Sequence, residues 1–438
     1  MLLIILAEQR NCELGYSKIL GPQDTAQTTT ATRRGASKYM LCGIKDGFGA
    51  VMDIIIPDQH LSFDVGVSQV DFTLSDIKIV DLQVPDIQFD LNDGQQSQMS
   101  VLNCSLVIKF QWRLQQQSYP YINDFGSGKI MVTNGEMIGV VNSTADVDQC
   151  PGHMIIGFVR ASIDYESLQV QLDGGDSWLF QSIINLVLSE IEDELMGTLT
   201  NVLLKGFIDL INNVFEDNRR VVEFHGYPDI IKDERYTSGV FTSSAGYVAL
   251  RISGYVYSRS NLKDDFVTPQ KLNPFTLNKF NNDFQIAIHE AAINNAFYTF
   301  HKYNNTYSGP TYQVLEPPTI KFMNAAGVFS INVLANNSEV KLRLIAKLQH
   351  ENDVNIERCY VFFTFEKYEV EVVSQEAVIN LDQLQDEVVS HMNSVIKYAS
   401  YQLSYTHFTD LNAYTHMFDP IERVIRFVGP EEFICPLK

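Results

Sequence analysis

The stretch VLNCSLVIKFQWRL, Val101 to Leu114, alternates with a period of two. Leu106, Ile108, Phe110, Trp112 and Leu114 fall on one face; Ser105, Lys109, Gln111 and Arg113 fall on the other, with Val107 the exception. Successive side chains of a strand point to opposite faces, so the pattern predicts an antiparallel sheet with one dry face. Upstream, FDVGVSQVDFTLSDIKIVDLQVPDIQFDL alternates as well, and its phase shifts near Gln69 and Val80. Such shifts predict bulges in a long, curved sheet.

Downstream the period changes. Between Ser177 and Phe215, residues Phe180, Ile184, Val187, Ile191, Leu195, Leu199, Val202, Leu203, Phe207, Leu210 and Val214 recur at three- and four-residue steps. This predicts a very long amphipathic helix, kinked near Gly197 or Gly206. Its opening, SWLFQSIINLVLSEIEDELMG, resembles a membrane segment until Glu190, Glu192, Asp193 and Glu194 interrupt it. A span needs about 20 apolar residues, so no transmembrane segment is expected. GYPDIIKDERYTSG, Gly226 to Gly239, combines turn residues and charges without a period and reads as a linker.

The second half repeats the order. AGYVALRISGYVYSR, EVKLRLIAKL and RCYVFFTFEKYEVEVV read as strands, and IHEAAINNAFYTFHKY as a shorter helix. A closing helix from about Leu381 places Leu384, Val388 and Met392 in register, with Asn380 as N-cap and Gln383 three residues on.

Composition narrows the function. Apolar residues at 45% and charged residues at 19% describe a folded chain, long enough at 438 residues for two or three domains. A net charge of −21 repels phosphate backbones and anionic headgroups, which sets nucleic acid aside as a partner. Six well-separated cysteines without a CxxC pair argue against zinc or redox chemistry. Four sequons, at Asn103, Asn142, Asn304 and Asn336, together with the even cysteine count, point to the secretory route. MLLIILAEQR reads as a signal-peptide remnant or, equally well, as a wrongly assigned start.

No catalytic constellation emerges, and no enzymatic activity is expected. GSG at Gly126 to Gly128 is not a GxSxG elbow, and HEAAI from His289 fails HExxH at its last position. Asp146 and Asp148 form a DVD pair that solvent normally satisfies, so no metal is expected either.

IIIPD (Ile54 to Asp58) followed by SQVDFTLSDIKIVDLQVPDIQF resembles the opening of the bactericidal/permeability-increasing protein family. That family includes lipopolysaccharide-binding protein and the plasma phospholipid and cholesteryl-ester transfer proteins. LRISGYVYS (Leu250 to Ser258), IHEAAINNAFYTF (Ile288 to Phe300, with Asn294) and DSWLFQSIINLV resemble further family segments in the same order. The resemblance covers roughly residues 40–405. It implies an α+β fold of two elongated barrels arranged as a boomerang. Each barrel would be a highly twisted antiparallel sheet wrapped around a long amphipathic helix. The implied division is an N-terminal segment 1–36, a barrel 37–225, a linker 226–239 and a second barrel 240–438.

The resemblance also implies tunnels holding phospholipid-like acyl chains, with lipid the bound group and no other cofactor. It lifts Trp178, Ile184, Val187, Ile191 and Leu195 towards lipid lining, with Ile293, Phe297, Phe300, Leu384, Val388 and Met392 as second-barrel equivalents. By itself an apolar stripe signifies core. A secreted or lumenal lipid-binding protein that transfers its lipids is the leading expectation. A bacterial-surface (lipopolysaccharide) binding defence protein and a filled-barrel interaction scaffold are the alternatives. The partners expected are lipids, including lipid or bacterial surfaces; the sequence does not fix the oligomeric state.

Three departures stand out. The family ties a first-barrel cysteine to one in the long helix; Cys150 sits near the first place, but no cysteine occupies the second. That leaves Cys104 as one candidate partner for Cys150, or a free thiol. Residues 13–36, with QTTTATRRG, match nothing in the family pattern. Antibacterial members bind lipopolysaccharide through basic loops at the first-barrel tip. Here the candidate tip loops LNDGQQSQ, STADVDQCPG and WRLQQQ offer a single Arg, which removes the main source of polyanion affinity.

Overall fold

The computed structural model describes residues 25–38, 41, 56–64, 69–91, 96–119, 121–145, 152–174, 197–198, 200, 206, 208–209, 212, 221–224, 226–239, 241–243, 247–261, 282–323, 326–353, 358–396, 401–404, 415–419, 421 and 423–429. These residues form mostly antiparallel sheet with few helices.

The first sheet is a curled meander. It is built from β2 (Gln59–Asp64), β3 (Gln69–Gln83), β4 (Asp86–Leu91), β5 (Gln96–Gln116), β6 (Asn123–Ala145) and β7 (Met154–Asp173). The order is β2-β3-β5-β6-β7, and β4 also pairs with β5. Strands β3 and β4 lie end to end along β5, separated at Val84 and Pro85, where proline has no N–H for the ladder. The phase shift expected near Val80 is a register shift between Ile79 and Asp81, beside another between Ser75 and Lys78. Asp76, Asn103 and Asn134 supply positive φ angles at or beside such irregularities. Asp and Asn tolerate this left-handed backbone better than other non-glycine residues, so the bulges bend the sheet cheaply.

The second-half sheet follows the same plan. Short β14 (Tyr312–Val314) and β15 (Thr319–Met323) lie end to end along β16 (Ala326–Ala335), separated by a segment containing Pro317 and Pro318. β16, β17 (Ser338–Asp353), β18 (Arg358–Ser374) and β19 (Tyr401–Ser404) follow in order. Asn336 and Asn337, both at positive φ, make the two-residue β16–β17 turn, which matches the right-handed twist of its strands. Two helices pack on this sheet, α1 (Glu290–Asn304) and α2 (Leu381–Val395). As expected, the Asn380 side chain caps α2, accepting from Gln383 N–H at 3.2 Å. His289 caps α1, its Nδ1 accepting from Ala291 N–H at 3.0 Å.

A central sheet collects strands from distant parts of the chain. Its order is β10 (Phe241–Ser243), β11 (Tyr247–Ile252), β1 (Gln27–Thr32), β13 (Phe284–His289), β21 (Val424–Val428) and β20 (Thr415–Asp419). The QTTTAT segment that matches no family pattern is therefore an interior strand, with Gln27, Thr28 and Thr30 buried. The expected single strand AGYVALRISGYVYSR is two, β11 and β12 (Val256–Ser258), parted at Gly254, which has φ +73°.

The stretch read as a linker contains a strand and buried charges. β8 (Val221–Phe224), β9 (Tyr227–Asp233) and β12 form a small sheet, and Lys232, Asp233, Glu234 and Arg235 are all buried. In an extended chain, residues two apart share a face. Lys232 therefore meets Glu234 (2.9 Å), and the Arg235 guanidinium meets both oxygens of Asp233 (3.0 Å each). Each charge finds its counter-ion locally, which is what makes burial tolerable.

Within the expected long helix, the structure describes residues 197–198, 200, 206, 208–209 and 212, all helical. Among the described residues, no helix is long and apolar enough to cross a membrane.

Candidate functional site

Two apolar interiors are the candidate sites. In the first sheet, Leu106, Ile108, Phe110, Trp112 and Leu114 of β5 all point inward and are buried, as their alternation predicts. They meet Val70, Phe72, Leu74 and Ile79 of β3, and Ile130 and Val132 of β6. Trp112 stacks on Phe72 at 6.1 Å, while its indole N–H donates to Ser127 O at 3.0 Å. GSG serves this packing: a Cβ on Gly126 would meet the Trp112 ring at 2.9 Å, and one on Gly128 the Phe110 ring at 2.5 Å. The helix candidates for this interior, Trp178, Ile184, Val187, Ile191 and Leu195, lie outside the described residues.

In the second half the structure gathers all six candidates into one core. Ile293, Phe297 and Phe300 come from α1, and Leu384, Val388 and Met392 from α2; none is more than 5% exposed. Rings link the helices to the sheets: Phe297 meets Phe329 at 5.4 Å, Phe329 meets Phe365 at 4.4 Å, and Phe300 meets Phe224 at 5.3 Å. Set in this core, the phenol oxygens of Tyr307 and Tyr312 are buried without a hydrogen-bond partner among the described residues. Burial holds both phenols well above their ordinary pKa, aided at Tyr307 by Tyr227 and at Tyr312 by the Glu387 carboxylate. Both therefore remain neutral donors at physiological pH, available to an acceptor that enters the core.

Asparagines fasten helices to strands around these interiors. Asn212 accepts from Ile156 N–H (2.9 Å) and donates to Ile156 O (3.0 Å), on edge strand β7. Asn294 does the same to Ile320 of β15, at 2.7 and 3.0 Å, and Asn393 to Phe365 of β18, at 2.8 and 3.2 Å. In each case one carboxamide satisfies an outward-facing backbone N–H and C=O that no neighbouring strand among the described residues takes. Asn295 and Thr299 hold Val256 of β12 likewise, at 2.6 and 3.0 Å.

The HEAAI residues have structural work. Glu290 is buried; it binds the Arg423 guanidinium and accepts from Phe322 N–H at 3.0 Å. Burial, then the Arg423 charge, lowers the His289 pKa to about 4 despite the opposing pull of Glu290. Among the described residues, no group of three or more His, Cys, Asp or Glu is placed to hold a metal. Asp146 and Asp148 lie outside them.

Cys104 is a free, buried thiol, its pKa raised by burial, and its candidate partner Cys150 lies outside the described residues. Of the sequons, Asn103 is exposed on a bulge, Asn304 at the end of α1 and Asn336 on a hairpin turn, whereas Asn142 is half-buried within β6.

The three candidate tip loops do not share an end. LNDGQQSQ joins β4 to β5 and STADVDQCPG joins β6 to β7, at the end where Gln96 pairs with Asn142. That is the inner end, since Tyr236 N–H donates to Gly152 O at 2.7 Å. WRLQQQ runs instead to the β5–β6 hairpin at the opposite end, about 70 Å along a 21-residue strand. There Tyr119, Tyr121 and Phe125 stand exposed, a feature whose sequence signal is the aromatic run SYPYINDF rather than any base.

Residues 45–214 match the model of the LBP / BPI / CETP family, N-terminal domain. Among curated proteins, none matches the chain by sequence. A crystal structure of lipopolysaccharide binding protein is similar over 93% of this chain and 98% of its own, at 13% identity and a TM-score of 0.56, a likeness of fold. Takeout 1 of Epiphyas postvittana (12% identity, TM-score 0.30, 42% of this chain and 94% of its own) is more distant. So is P47 of Clostridium botulinum E1 (9%, 0.24, 95% and 100%).

Proposed function

The chain belongs, through its first half, to the LBP / BPI / CETP family, and on that premise we propose that it binds phospholipid-like lipids by their acyl chains in its two apolar interiors and transfers them. In this reading each sheet and its helices form an elongated barrel, the two barrels make a boomerang, and the protein works in a secreted or lumenal setting. The observation that carries the proposal is the second-half core. There two helices and a sheet turn a continuous aromatic and aliphatic face inward around the unpartnered phenols of Tyr307 and Tyr312. A buried donor left unmade costs about 1–3 kcal/mol, a cost that an ester or carboxyl oxygen of a lipid would remove. Each buried methylene adds ~0.8 kcal/mol, so acyl chains hold without a charge pair.

The test is organic extraction of the protein purified from its native source, followed by mass spectrometry. Stoichiometric lipid with two acyl chains is the expected result. Recovery of none, with side chains filling both interiors at ordinary packing density, would instead favour a scaffold. Lipopolysaccharide binding that survives physiological salt would favour a bacterial-surface role.

A further inference from the structure

The outer end of the first sheet carries three large aromatic side chains in solvent. Tyr119 is 84% exposed, Tyr121 70% and Phe125 71%, and the two tyrosines meet edge to face at 6.5 Å. Leu114 and Ile122 behind them belong to the first interior, so the hairpin joins an exposed aromatic end to a dry core. Residues 111–127 contain one base, Arg113, and one acid, Asp124. Arg113 donates to Asn123 Oδ1 at 3.3 Å, and Asp124 accepts from Phe125 N–H at 2.9 Å. The hairpin is thus neutral on a chain of net charge −21.

We propose that this hairpin end docks the protein on an electrically neutral lipid surface, such as phosphatidylcholine, with Tyr119, Tyr121 and Phe125 seated at headgroup level. Tyrosine joins an apolar ring to a wet hydroxyl and so favours the boundary between hydrocarbon and water. An anionic surface is disfavoured, because adhesion to one comes from clustered bases that the hairpin lacks. A second copy fits poorly. Three aromatic side chains bury at most about 450–750 Å² per copy, below the roughly 800 Å² per partner of a standard protein interface, and two chains of −21 repel. The choice of occupant rests on the lipid-binding reading; the surface itself does not.

Flotation of the full-length protein with phosphatidylcholine vesicles tests the proposal, at low and at physiological salt. The wild type should partition to the same extent at both. The triple variant Tyr119→Ser, Tyr121→Ser, Phe125→Ser should partition at least about tenfold less, with an unchanged circular-dichroism melt. The single variant Phe125→Trp should show blue-shifted emission when vesicles are added. Equal partition of the triple variant, binding that requires anionic lipid, or an altered oligomeric state on sizing would each overturn the proposal. Extraction of the triple variant keeps the two readings apart. Lost partition with bound lipid retained supports docking beside a working interior; lost partition with no lipid in variant or wild type supports docking alone.

Discussion

Asn294→Ala removes both ends of one clamp and is the sharpest probe of how the helices are held. Ile320 N–H and C=O face away from β16, and the carboxamide takes both, at 2.7 and 3.0 Å. Ile320 is 2% exposed, so the two groups would be left unmade in a dry place. Each such group costs ~1–3 kcal/mol. Because β15 has an open edge that lets some water approach, the expected loss is about 2–4 kcal/mol. At ~1.4 kcal/mol per decade, protection of the Ile320 amide against hydrogen exchange should fall roughly 30- to 700-fold. Asn294→Asp should also lose protection, since it keeps the acceptor but sets a carboxylate against Ile320 O. Lys302→Ala, on the exposed side of the same helix, should change stability by no more than ~0.5 kcal/mol. Asn294→Ala protection within about threefold of wild type would refute the reasoning, because ~0.6 kcal/mol is less than one lost group can cost.

Asp233→Ala should lower the urea midpoint by the equivalent of about 3–5 kcal/mol, since it strands the buried Arg235 guanidinium; adding Arg235→Met should restore most of it, and equal losses would refute the pair's role. His289 binds protons more weakly folded, at about 4, than unfolded, near 6.5. The unfolded state therefore takes up more protons between those values, and stability should fall as pH drops from about 6.5 to about 4. His289→Asn, which retains a capping side chain, should flatten that part of a melting-temperature profile; an unchanged slope would exclude His289 as its source. Cys104 should resist thiol reagents in the native protein, where burial raises its pKa, and react once the chain is unfolded in urea. Failure to react in urea without reductant would place it in a disulfide. Expressed through a secretory route, the exposed Asn304 and Asn336 should carry glycan and the half-buried Asn142 should not; peptide mass spectrometry after deglycosylation reads this directly.

Much of the fold was legible because it follows a period. The β5 alternation, the bulge near Val80, the two second-half helices and the Asn380 cap each rest on local spacing that tertiary context left undisturbed. QTTTAT was illegible because the central sheet buries its strands regardless of polarity, so Gln27, Thr28 and Thr30 break the usual link between polar and exposed. The burial of KDER was illegible for a related reason. A run of four charges suggests solvent, yet the order Lys-Asp-Glu-Arg sets opposite signs two residues apart, where an extended chain brings them onto one face. The clamping asparagines had no periodic signal; only the open edges of β7, β15 and β18 give them a purpose.

The exposed hairpin was legible by a rule that charge-reading passes over. In an antiparallel meander, consecutive turns fall at alternate ends. The turns within LNDGQQSQ and STADVDQCPG are separated by two strands and must share an end; the turn after WRLQQQ lies between them in sequence and must take the other. The described ends of the first two loops lie at the inner end, where Tyr236 N–H donates to Gly152 O, about 70 Å from the outer end, many screening lengths in physiological salt. What weakens polyanion binding at the outer hairpin is the absence of bases in residues 111–127 apart from Arg113. Adding Lys at Gln115 and Gln117 should therefore raise affinity for anionic vesicles, with the acids of the other two loops left unchanged. Unchanged affinity would refute missing bases at this hairpin as the cause of weak polyanion binding.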